Sequence, residues 1–396
     1  MNWRNLVLSI IFIFSIVFQI HNSLSYNPLH GFDGKGHIEY LEYIKINHKL
    51  PLPHEGWQYY QTPLYYLLAM PAYIVGGIQA VQLQNIVYFL LYIYIVGLLT
   101  AKIFPSNKNV SLVTTLALAA LPVANYLVPM ISNEFLNDLF MAVSLLYMMI
   151  SPYSLINILL LTLGFYTKYT LLTLGPAYAV ALYLGKKKFI SRSVLYGSIF
   201  AWFICSIIFR NLYFYQTPLA MAESFFPFPP GREARDVKFF VDLSWIPKVD
   251  MFQAQHYSFI GGTWNTFWHD GYQTTVPVVS FHKKALGLWL LGFPLTIISI
   301  LGWVQLKKYK LKVFYVGITY LLTALLAYVL YNFHLPYPSE LKSFFMSGLP
   351  VIYVLGIASS YTYLPKTQKL MIGLLAIQFL LMISYFWIQP WWHVAK

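Results

Sequence analysis

A helix of about 20 apolar residues crosses roughly 30 Å of hydrocarbon, and this chain carries such stretches almost end to end. They lie near 5–24, 81–101, 110–130, 135–150, 154–168, 169–185, 192–210, 285–304, 313–332, 343–361 and 370–389. The pattern predicts an all-α polytopic membrane protein with about eleven transmembrane helices. Composition agrees. Only 10% of the 396 residues are charged and 58% are hydrophobic, whereas a soluble domain carries roughly 25% charged residues. Such a chain cannot cover a soluble surface, so a soluble enzyme, a disordered protein and a disulfide scaffold are excluded. The single cysteine, Cys205, lies in an apolar run and has no internal partner. The reading is one integral membrane domain over 1–396 with no soluble domain appended. The first span is read as retained, because its apolar core is long and Ser23-Leu24-Ser25 is a weak processing site.

The net charge of +13 acquires meaning when sorted by loop. Cytoplasmic loops are enriched in Lys and Arg. Segment 63–79 holds Pro71 and ends at Gly76-Gly77, and it reads as a membrane-surface helix. With it on the surface and the N-terminus inside, half of the 26 basic residues fall on short inner connections. These are Arg4, Lys102, Lys108, Lys186, Lys187, Lys188, Arg192, Lys307, Lys308, Lys310, Lys312, Lys366 and Lys369. All 13 Asp and Glu and all ten His then fall outside or at outer span ends. The excess charge is a topology signal, and no nucleic-acid partner is implied. The outer loops 25–80 and 211–284 become the chemically equipped face, and the C-terminus lies on it. Residues 34–46 read as an amphipathic surface helix, with Ile38, Leu41 and Ile44 three apart.

Ionisable residues at span ends inside apolar sequence are functional candidates. Asp33, Glu134, Lys168, Arg210 and Lys342 are far apart in sequence, yet this topology returns all five to one face. Two carboxylates supply a general base and a partner for it. Arg and Lys hold a phosphate and stabilise charge developing on it as it leaves. Trp57, Tyr59, Tyr60, Tyr65, Tyr66, Trp245, Trp264 and Trp268 suit sugar rings or the headgroup belt. A phosphate-linked, lipid-borne substrate attacked at the outer surface fits this set. Composition and charge alone do not name the reaction.

The stretch 31–67 resembles the first external loop of the GT-C superfamily of membrane glycosyltransferases, and is similar to its protein O-mannosyltransferase and aminoarabinose transferase branch. The matching features are Asp33, His37, the surface helix 38–46, Leu50 to Pro53, and Pro63-Leu64-Tyr65-Tyr66. In order after them come Ser132-Asn133-Glu134, Thr167-Lys168-Tyr169, Arg210-Asn211, and Lys342 ahead of Leu349-Pro350. The resemblance implies a polyprenyl-phosphate sugar donor in the bilayer. It implies inverting transfer to a lipid, glycan or protein hydroxyl on the external, periplasmic or lumenal face. Asp33 would be the general base, with Lys168, Arg210 and Lys342 the cations on the donor phosphate. Glu134 would orient the acceptor, support the base or bind a metal, while His37, Tyr65 and Tyr66 would bind or orient substrate.

No cofactor is required by this reading. A divalent metal on Asp33, His37 and Glu134 is the minor alternative, since His37 follows Asp33 by four residues. There are departures from the family. Asp33 is followed by Gly34, where many protein mannosyltransferases have Asp-Glu. The usual C-terminal soluble domain is missing, and Trp391-Trp392 is followed by His393. The alternatives are a polymerase or ligase of polyprenyl-linked glycans, a lipid or solute transporter without chemistry, and a non-catalytic scaffold.

Overall fold

The computed structural model describes residues 3–185, 189–218, 221, 224–226, 233, 235–272 and 282–387. Lys186–Lys188, Glu223 and Trp391-Trp392-His393 lie outside the described residues, as does the Arg192 side chain. Among the described residues all regular structure is helical. The helices are α1 (Trp3–Ser25), α2 (Gly34–Asn47), α3 (Leu64–Ile103), α4 (Val110–Ala119), α5 (Pro122–Tyr126), α6 (Glu134–Ile150), α7 (Leu155–Phe165) and α8 (Leu174–Leu184). They continue with α9 (Phe189–Tyr215), α10 (Val237–Val241), α11 (Trp245–Lys248), α12 (Phe259–Trp268), α13 (His282–Tyr309), α14 (Leu311–His334), α15 (Leu349–Tyr363) and α16 (Gln368–Phe386).

Six helices among the described residues are long and apolar enough to cross a membrane: α1, α3, α9 from Gly197, α13, α14, and α16 counted from Pro365. The other expected spans are shorter apolar helices. The stretch 110–130 breaks at Leu121-Pro122, because proline has no N–H for the ladder. The carbonyls freed there are taken by the Asn125 side-chain amide, which donates to Ala119 O at 3.0 Å and Leu121 O at 2.8 Å. The stretches 154–168 and 169–185 contain α7 and α8, of 11 residues each, or about 16 Å at 1.5 Å per residue. The stretch 343–361 becomes α-helical only at Leu349, where Pro350 opens α15. The residues before it run through short 3-10 turns at Pro338–Glu340 and Ser343–Phe345 inside the protein. Such backbone is tolerated at membrane depth where it is buried or lines a cavity.

Segment 63–79 is continuous with the following span in α3, but the helix is broken at Gly76 and Gly77, the latter at φ 65° and ψ −156°. Only glycine adopts that conformation without strain. Gln84 Nε2 donates to Leu68 O at 2.9 Å. In a straight helix those residues would stand about 24 Å apart. The two limbs therefore fold back on each other, and the first limb is separate from the span, lying against α2.

The bundle is tied where helices approach closely. Gly302 of α13 and Gly356 of α15 face each other, and a methyl on Gly302 would collide with the Gly356 carbonyl. Ser299 and Ser360 cross the same seam to Tyr353 O at 3.0 Å and Ile298 O at 2.6 Å. Small residues and crossing hydroxyls are how helices associate when lipid is as apolar as their side chains.

Basic connections and the charged candidates lie at different ends of the bundle. Arg4 reaches Ser111 at 2.8 Å. Tyr363 stacks on Tyr309 at 4.4 Å and touches Phe104 at 6.1 Å. These contacts gather the connections bearing Lys102, Lys108, Lys307, Lys308, Lys310 and Lys366 at one end. Asp33, Glu134, Lys168 and Lys342 meet at the other.

The described residues 235–272 of loop 211–284 pack into the protein. Its α12 packs under α5, where Tyr126 Oη donates to Thr266 O at 2.6 Å. Trp245 and Trp268 are each 1% exposed, in a cluster with Trp264, Trp289 and Phe293. They form a core for the loop, and Trp264 and Trp268 also line a cavity walled by α12, α13 and α14.

Candidate active site

The first loop sets Asp33 by backbone geometry. Asp33 sits at φ 55°, in the left-handed region, directly before α2. A short polar side chain tolerates this better than a branched one. A Cβ on Gly34 would collide with the Pro28 carbonyl, which explains why no second acidic residue follows. His37 N donates to Asp33 O at 3.1 Å, so the two residues share the first turn, as their spacing predicts.

His37 is buried. Its Nδ1 lies 2.7 Å from Tyr66 Oη, and the Tyr66 ring stacks on Tyr40 with centroids 3.6 Å apart. Burial pushes the imidazole down to about 4, with Lys168 acting the same way and Asp33 opposing. His37 is therefore neutral near pH 7. Tyr65 and Tyr66 are both buried and line no part of the cavity below. Tyr66 holds His37 in place, which is the orienting half of the role expected for it.

Glu134 opens α6, where the helix N-terminus favours an anion. It forms an ion pair with Lys168, from the turn after α7, and the side chains are 9% and 12% exposed. Asp138, one turn further on, is 2% exposed. Asn133 donates to Gln61 Oε1 and Thr167 O at 3.0 Å each. Asn137 donates to Thr170 Oγ1 at 3.0 Å and Ser347 Oγ at 2.6 Å. The start of α6 thus binds the first loop, the Lys168 turn and the segment before α15 into one unit.

That segment carries Lys342, which is 6% exposed. Its Nζ lies 4.4 Å from the Phe32 ring centre and 5.2 Å from that of Phe345. Lys168 Nζ lies 5.0 Å from the other ring contact it makes, also Phe345. Among the described residues Lys342 has no ion-pair partner.

These groups line one cavity of about 380 Å³, walled by Phe32, Asp33, His37, Trp57, Tyr60, Gln61, Glu134, Lys168, Tyr169, Tyr328, Tyr331, Glu340 and Lys342, among others. Four of the five charged candidates meet there. Arg210 does not: it is exposed at the end of α9 and lies outside the lining, near Tyr40 and Tyr169. Two carboxylates were not singled out from sequence. Glu340 lines the cavity and accepts from Tyr331 Oη at 2.6 Å. Asp138 is buried behind Glu134, and its spacing of four from Glu134 is the signal that marks it. The metal alternative finds no support in the geometry. Among the described residues no three His, Cys, Asp or Glu converge as ligands, and Glu134 and His37 are engaged by Lys168 and Tyr66.

No protein-family model matches the chain, and no curated protein does. A solved structure does match: ArnT from Cupriavidus metallidurans, bound to undecaprenyl phosphate, with a TM-score of 0.55 and 13% identity over 95% of this chain. The chain spans 62% of the length of that ArnT chain. The likeness shows a GT-C-like membrane fold, in agreement with the motif order along the sequence.

Proposed function

We propose that this protein is a membrane glycosyltransferase that moves a sugar from a polyprenyl-phosphate donor to an acceptor hydroxyl, with inversion, in the cavity around Asp33. The observation that carries this reading is the pairing of an open carboxylate with a buried, carboxylate-free ammonium across one aromatic-walled cavity. That ArnT was seen with undecaprenyl phosphate supports a polyprenyl-phosphate partner for the same fold.

The chemistry follows from the groups present. The acceptor O–H gives its proton to the Asp33 carboxylate as its oxygen attacks the anomeric carbon. The bond from that carbon to the phosphate oxygen breaks on the opposite side, and polyprenyl phosphate departs with one more negative charge. Lys342 is placed to hold that charge in a site of low dielectric, where such an interaction is strongest. Lys168 adds a second cation, fixed by Glu134. His37, neutral and held by Tyr66, offers a ring nitrogen for a sugar or acceptor hydroxyl. By the positive-inside rule this end faces away from the cytoplasm, and the acceptor is a lipid, glycan or protein.

Mass spectrometry of the lipid and glycan pools in a deletion strain tests the reading. Accumulation of one polyprenyl-phosphate sugar together with an undecorated acceptor is expected. Pools identical to those of the parent strain would overturn it.

A further inference from the structure

A second cavity of about 430 Å³ lies between α1, α3 and α4. It lies along the N-terminal half of the 23-residue α1, a helix about 34 Å long, whereas Asp33 follows the other end of that helix. The cavity floor is polar, with Ser111 and Thr115 buried beside the half-buried Arg4. At its mouth the exposed Asn5 and Ser9 of α1 stand with an apolar side formed by Tyr94 and Leu98, 52% and 45% exposed. Phe12 packs edge-on against Tyr94 at 6.4 Å.

We infer that this cavity binds the phosphate headgroup of an anionic phospholipid from the leaflet at the basic end of the bundle, with an acyl chain leaving past Tyr94 and Leu98. Three observations converge. First, Arg4 does not extend toward water as a snorkelling side chain would; it turns inward, and its Nη2 donates to Ser111 Oγ at 2.8 Å. Second, the side chains beside it supply hydroxyl and amide donors, and among the described residues no carboxylate lines the cavity. A guanidinium with neighbouring hydroxyls matches a phosphate, which accepts from several donors at once. Third, exposed Lys102 in the last turn of α3 and exposed Lys108 on the connection to α4 add positive potential at this end, and basic groups at a membrane surface attract anionic lipid.

Phosphate is the chemistry shared by a lipid headgroup and a free ion, and the apolar mouth favours the lipid. The site is independent of the transfer reaction proposed above, so either assignment can fail without the other.

The test uses the full-length purified protein in a neutral detergent. Thermal unfolding is followed as short-chain phosphatidylglycerol, phosphatidylcholine or inorganic phosphate is added. Phosphatidylglycerol should raise the midpoint in a saturable way, with phosphatidylcholine and inorganic phosphate having little effect. Arg4→Gln should weaken the half-saturating concentration by about tenfold or more, since a charge-assisted contact is lost. Ser9→Phe, which crowds the mouth and keeps the charge, should do the same. Ser111→Ala, the mildest change, should weaken it less and serves if the others fail to fold. Equal effects of the two phospholipids, equal effects of inorganic phosphate, or an unchanged response in all three variants would overturn the inference.

Discussion

Removing Lys168 should damage the protein more than removing Lys168 and Glu134 together. The two side chains are 12% and 9% exposed, so solvent does little to screen them. In Lys168→Met, Glu134 is left at the start of α6 without its cation. Stripping one partner from a buried pair costs about 3–5 kcal/mol, because the remaining charge is left uncompensated. In Glu134→Gln, Lys168 is left against the Phe345 ring that Lys342 also approaches, and a similar loss is expected. The double variant carries no stranded charge of the pair and should lose about 1–2 kcal/mol. The coupling energy is then about 4 kcal/mol or more, above the usual range of about 0.5–3 kcal/mol for residues in contact. Denaturant unfolding of the purified variants in lipid nanodiscs, followed by tryptophan fluorescence, measures all three. Single variants that each cost under about 1 kcal/mol and add in the double would show that the pair is solvated, and would refute the reasoning. The double variant also separates folding from chemistry, because it should be folded yet slow in transfer.

Two further outcomes follow from the same geometry. His37 carries a folded pKa of about 4 against an ordinary 6.5, so the unfolded chain takes up its proton first as pH falls. Its neutral burial is without cost above pH 6.5, and stability drops between pH 6.5 and 4 by about 3 kcal/mol; His37→Gln should flatten unfolding curves across that window, and an unchanged pH dependence would contradict the buried imidazole. Lys342→Met should weaken binding of undecaprenyl phosphate by about tenfold or more, measured by competition with a labelled polyprenyl phosphate; wild-type affinity would remove Lys342 from the phosphate site.

Much of this site is legible in the sequence because charge sorting is a one-dimensional problem. Once the basic loops are placed on one side, Asp33, Glu134, Lys168 and Lys342 must return to the other, and the structure brings them to one cavity. Arg210 shares the face but not the cavity, since a helix end fixes the face and packing decides the direction of the side chain. Glu340 and Asp138 were visible only as outer acidic residues. Their place depends on the irregular segment of short 3-10 turns before α15 and on the pitch of α6, and hydropathy reports neither. The fold-back of α3 has a visible cause in Gly76-Gly77, yet its sharpness is set by distant contacts such as Gln84 with Leu68. The Trp245 and Trp268 positions show the same limit, because an aromatic in a polar loop reads alike whether it meets lipid, sugar or a buried core.

The most direct measurement is single-turnover transfer from a radiolabelled polyprenyl-phosphate sugar by wild type and Asp33→Asn, with donor binding measured on the same samples. Asp33→Asn should bind the donor as wild type does and transfer at least about 10²-fold more slowly, the usual contribution of a positioned general base. Transfer at the wild-type rate by a folded Asp33→Asn protein would contradict the assignment of this cavity as the catalytic centre.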